Sequence, residues 1–86
     1  MFNKDYNHNK AKPNANDYYS VGQTAKFVGA SNVWADKFWN DNKNKGEDGD
    51  GMKPFIFGFQ KGGIHREQKL IIGKEILKIM KKKNLI

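Results

Sequence analysis

Six residues between positions 61 and 69 bring together the groups needed to hold a polyanion: Lys61, Gly62, Gly63, His65, Arg66 and Lys69. A Gly-Gly tip lets backbone amides approach a phosphate closely. Arg66 is the only arginine in the chain. Its planar fork can grip a phosphate or a guanine edge through two hydrogen bonds at once, which a lysine cannot do. Lys81, Lys82 and Lys83 would extend the same positive field from the C-terminal end. The charge distribution points the same way. Residues 1–51 hold seven lysines and seven acids, whereas residues 52–86 set nine bases against Glu67 and Glu75 and carry the whole formal charge of +7. A basic surplus confined to one end of a small chain implies a polyanion bound there.

Other chemistry finds little material. The two histidines, His8 and His65, are far apart in sequence and there is no cysteine, so no metal set and no disulfide is expected. No nucleophile elbow, phosphate-cradling P-loop or dinucleotide fingerprint occurs. The acidic run from Asp41 resembles a calcium loop only superficially. The template puts Lys43 and Lys45 at ligand positions and Met52 where a bidentate Glu is required. Residues 40–51 read instead as a solvated connector, and Glu67 and Glu75 as surface charges paired to neighbouring lysines. The expectation is a protein without catalytic activity or cofactor.

The elements that would position these groups follow from periodicity and punctuation. Residues 1–17 are polar, Asn-rich and non-periodic, and read as a disordered arm ahead of a domain at 18–86. Ser20 followed by Gln23 is a capping box, and Val21, Ala25 and Val28 give the apolar stripe of a first helix. Gly29 can close it, and Ser31 can cap a second helix through Val33, Trp34, Ala35, Phe38 and Trp39. Both tryptophans are expected to pack. Phe55, Phe57 and Phe59 would share one face of a strand over 54–60, with Gly58 marking a bulge or a close backbone approach. Lys61-Gly62-Gly63 would turn the chain into a returning strand over 64–72. A last helix over 74–83 would carry a stripe of Ile72, Ile76, Ile79 and Lys83, widened by Leu77 and Met80, with Lys74, Lys78, Lys81 and Lys82 largely on the other side.

Helix, turn, helix, hairpin and helix in this order make an α+β winged helix-turn-helix. The run from Tyr19 to Ser31, YSVGQTAKFVGAS, resembles the opening of MerR-type and excisionase-type DNA-binding domains. The stretch from Phe55 to Lys82 resembles the excisionase wing and the helix after it. This resemblance implies double-stranded DNA as partner, with Ser31, Asn32, Val33 and Lys37 on the recognition helix. It also implies an accessory role in a plasmid, phage or other mobile element: excisionase, origin-binding factor or small repressor. A homodimer or a cooperative array on repeated sites is expected, with Leu85-Ile86 as one source of contact. The second helix departs from the pattern, because Asp36 and Lys37 cancel where such helices carry net positive charge. The main DNA contact is therefore expected on the wing.

An alternative is a protein-binding module acting on a host protein, which exposed Phe55, Phe57 or Trp39 would favour. RNA binding by the Phe-rich strand beside lysines ranks third. The apolar runs are too short for a membrane span, and the first residues lack an apolar stretch resembling a secretion signal. A cytoplasmic protein without membrane contact is expected.

Overall fold

The computed structural model describes residues 12–59 and 66–86. Three helices and a three-stranded antiparallel sheet make up the described part, an α+β domain in the order β1 (Tyr18–Ser20), α1 (Val21–Val28), α2 (Asn32–Asn42), β2 (Phe55–Gly58), β3 (Gln68–Ile72) and α3 (Gly73–Lys82). The strand order is β1-β3-β2.

The local signals of the first half operate as chemistry dictates. The amide of Gln23 donates to the Ser20 hydroxyl (3.2 Å) and the amide of Ser20 to the Gln23 side chain (3.1 Å), so two N-terminal donors of α1 are satisfied. Gly29 takes the left-handed conformation (φ 71°), and the amide of Ala30 returns to the carbonyl of Ala25 at 2.9 Å. That closes α1. Two residues on, the Ser31 hydroxyl accepts from the amide of Trp34 (3.1 Å) and starts α2. A second left-handed residue, Asn84 (φ 61°), ends α3 and folds the amide of Leu85 back to the carbonyl of Met80 (2.8 Å). Leu85 thus packs against the core rather than standing free as an association contact; Ile86 stays 43% exposed.

The sheet is built around β3. Leu70, Ile71 and Ile72 are fully buried, as a continuous apolar run in a central strand should be. β1 was not legible as a strand. It pairs Tyr18 with Ile72, Tyr19 with Ile71 and Ser20 with Leu70. β2 pairs residue for residue with β3, from Phe55 opposite Ile71 to Gly58 opposite Gln68. Gly58 therefore marks no bulge, and a Cβ there would meet open space. Phe55 is buried, but Phe57 is 57% exposed, and Phe59, expected on the same strand face, falls beyond the end of β2 and is 64% exposed. Val28, Trp39, Phe55, Ile71, Ile76 and Met80 form the main core cluster. Trp39 is fixed by its indole N–H, which donates to the carbonyls of Ile56 (3.0 Å) and Leu70 (3.1 Å).

Residues 12–17, read from composition as part of a mobile arm, are held to the start of α3. The amide of Gly73 donates to the carbonyl of Asp17 (2.7 Å) and that of Lys74 to Ala15 (3.1 Å). Tyr19 accepts the amide of Asn14 (2.7 Å), and Pro13 is buried. Backbone hydrogen bonds rather than apolar burial order this strap, so its polar composition was a poor guide. The rest of the arm, residues 1–11, lies outside the described residues.

The connector is also tied down. Lys74 on α3 hydrogen-bonds Asp50 and stands 3.8 Å from Asp48, and the Tyr18 hydroxyl donates to the carbonyl of Lys53 at 2.6 Å. The Lys74 hydrogen bond, followed by the amide of Met52, holds the Asp50 carboxyl below its ordinary range, while Asp50 raises Lys74. Partial burial, then the charges of Asp50 and Asp48, push the Tyr18 phenol up. With Asp50 depressed in the folded state, its contribution is present above the ordinary carboxylate range and lost as pH falls through the lowered value. Asp50→Asn should lower the melting temperature near neutral pH, and the gap to wild type should close as pH falls through the lowered value. Melting curves across that range check this; a gap that persists in acid would contradict it.

Candidate functional site

The two segments named from sequence meet different fates. Lys61, Gly62, Gly63 and His65 lie outside the described residues. Arg66, just beyond them, is exposed, and no acidic partner for it occurs among the described residues. Lys69 is not a free cation. Its ammonium lies 2.6 Å from the Asp36 carboxylate and 5.3 Å from the Trp39 ring centre. It therefore couples β3 to α2 across the core edge, which uses the charge that was assigned to a ligand.

On α2 the first turn is open. Asn32 and Val33 are exposed, Val33 by 79%. Ser31 is also exposed, but its hydroxyl is engaged as the cap. Lys37 is exposed and sits 3.3 Å from Asp41 one turn on. Such an exposed pair is weak and gives way readily to a stronger anion. The inner face of α2 carries the aromatic packing: Trp34 stacks on Phe38 (5.0 Å), and Phe38 meets Phe55 edge to face (5.3 Å).

α3 brings its basic end beside the turn between α1 and α2. The Lys83 ammonium donates to the carbonyl of Val28 at 3.3 Å and lies 5.9 Å from the Trp34 ring centre. A cation at that carbonyl suits the negative end of the α1 dipole. Lys81 and Lys82 are exposed, and neither pairs with an acid among the described residues. Two other lysines of the basic third are neutralised locally, Lys74 by Asp50 and Asp48, and Lys78 by Glu75. Glu75 itself is only 6% exposed, not a surface charge, and receives Lys45 (3.5 Å) as well as Lys78 (3.2 Å). In the first turn of α3 its carboxylate also faces the positive end of the helix dipole.

One feature escaped the sequence reading. Lys43, Asn44 and Lys45 after α2, Lys53 before β2, and the rings of Trp39 and Phe57 line a cleft of about 550 Å³. The signal was present in the alternating Asn-Lys-Asn-Lys that follows Trp39, but loop-forming composition masked it. Among the described residues no group of three or more His, Cys, Asp or Glu could hold a metal ion, and no helix is long and apolar enough to cross a membrane. No family model matches the chain, and no curated protein or solved structure matches it.

Proposed function

We propose that this chain is a winged helix-turn-helix protein that binds double-stranded DNA without chemistry. The observation that carries the reading is the open first turn of α2. Asn32 and the 79%-exposed Val33 project from a helix that Ser31 caps immediately after the Gly29 turn. An amide and a small apolar side chain at the start of a second helix are suited to adenine edges and thymine methyl groups in a major groove. Arg66 and the exposed Lys81 and Lys82 supply the phosphate contacts that position it. Lys61, Gly62, Gly63 and His65 would complete the wing between β2 and β3. The role fits a cytoplasmic accessory factor of a plasmid, phage or other mobile element, acting as a homodimer or in cooperative arrays on repeated sites.

Selection from a pool of random duplexes at low salt tests this reading. Recovery of an enriched site supports it, and retention of no duplex overturns it. A second reading, a module that binds a host protein, is favoured by one observation: Phe57 on β2 and Phe59 just after it are exposed. Phe55 and Trp39 are buried and do not add to it.

A further inference from the structure

We infer that the cleft beside β2 is a binding site for single-stranded nucleic acid, with a base stacked on Phe57 and the adjoining phosphates held by Lys43 and Lys53. The site stands on its own geometry and does not depend on the duplex reading.

Phe57 presents more than half of its surface to solvent, yet the ring is not loose: it meets the Trp39 ring edge to face, with centres 6.4 Å apart. Trp39 in turn is pinned by its two carbonyl contacts on β2 and β3. An exposed ring braced from behind is a stacking platform, and every base has a face to offer it. Phe59, one residue past the end of β2, is 64% exposed, so a second ring is at hand for a neighbouring base. The rim supplies the opposite charge. Lys43 and Lys53 are exposed and pair with no acid among the described residues. Lys45 shares its charge with Glu75 and contributes less. Asn44 adds an amide able to donate to and accept from a base edge. A volume of about 550 Å³ falls in the range of sites that take a small ligand unit.

A stacking face flanked by unpaired ammonium groups is chemistry for alternating bases and phosphates. A stacked duplex hides its base faces, so a double strand could use the lysines but not Phe57. An acidic peptide could likewise use the lysines and gain little from the ring.

The test is fluorescence anisotropy of end-labelled octamers of thymidylate and uridylate titrated with the full chain at low salt. At least one octamer should bind. Phe57→Ala should weaken that binding about tenfold, the scale of one lost base stack, while Phe57→Trp should restore it. The double change Lys43→Gln and Lys53→Gln should weaken it and flatten its salt dependence. Lys43 and Lys53 are exposed and without an acidic partner among the described residues, so their double variant should melt with the wild type, and Phe57→Trp keeps a ring against Trp39. Failure of both octamers to bind overturns the inference, as does unchanged binding by Phe57→Ala. So does equal competition by an octamer of glutamate, which would assign the cleft to an acidic peptide. A parallel duplex titration separates the two readings. Loss of octamer binding with duplex binding intact overturns the cleft alone, and the reverse overturns the helix-turn-helix reading alone.

Discussion

Gly73→Ala is expected to destabilise the fold more than a methyl added at any other of the described glycines. A Cβ at Gly73 would lie 1.9 Å from the carbonyl oxygen of Asn14 and 2.7 Å from its carbon. Both atoms are backbone, so no side-chain rotation can relieve the clash. Either the strap at residues 12–17 moves away or α3 shifts its first turn. The first route releases the bonds from Gly73 to Asp17 and from Lys74 to Ala15; the second disturbs Ile72 and Ile76, both fully buried. Overpacking of this kind costs about 1–3 kcal/mol, and each backbone bond lost adds about 1 kcal/mol. A domain of this size holds little stability in reserve. Urea unfolding should therefore show a midpoint well below wild type. A wild-type midpoint would mean that the strap does not lie on α3.

Arg66→Ala is the second large effect, on binding rather than on folding. Arg66 is exposed and unpaired among the described residues, so nothing intramolecular has to be broken before it meets a phosphate or a guanine. Losing a two-pronged contact of that kind costs about 1–3 kcal/mol, roughly 5- to 150-fold in affinity for duplex DNA. Lys37→Ala should cost less, because Lys37 gives up its pair with Asp41 before it can contact a phosphate. Lys69→Ala should leave duplex affinity nearly unchanged and lower stability instead, since its ammonium is held by Asp36 against Trp39. Electrophoretic shifts with one duplex, measured for the three variants, give the ranking. A larger loss for Lys37→Ala than for Arg66→Ala would return the dominant contact to the second helix.

What could be read from the sequence was whatever a few adjacent residues decide. Ser20 with Gln23, Gly29 and Ser31 each act within one helical turn, and all form the predicted caps. The helix over 74–83 was legible from its period, and the strands expected over 54–60 and 64–72 form over shorter spans, Phe55–Gly58 and Gln68–Ile72. Pairing across long separations was not. Tyr18–Ser20 is too short to announce a strand and becomes one because Leu70–Ile72 lies alongside it. The Asn-rich strap is ordered by Gly73, more than 50 residues along the chain, through backbone groups that composition does not reveal. Charge behaved in the same way. The split between a neutral part and a basic third is real in sequence, yet folding crosses it: Asp36 takes Lys69, and Asp48 and Asp50 take Lys74. Pairing therefore relocates the surplus rather than reducing it: among the described residues the cations without an acidic partner include Lys43 and Lys53, from outside the wing and the last helix.

The central claim, that the exposed start of α2 together with Arg66, Lys81 and Lys82 holds a DNA duplex, is tested most directly by a salt titration. The full chain is equilibrated with a random-sequence duplex of about two helical turns, and affinity is followed from 50 to 200 mM salt. With Lys61, Arg66, Lys81 and Lys82 each neutralising a phosphate, affinity should fall about 10²-fold across that range. Absence of binding at 50 mM, or binding that ignores salt, would contradict the account.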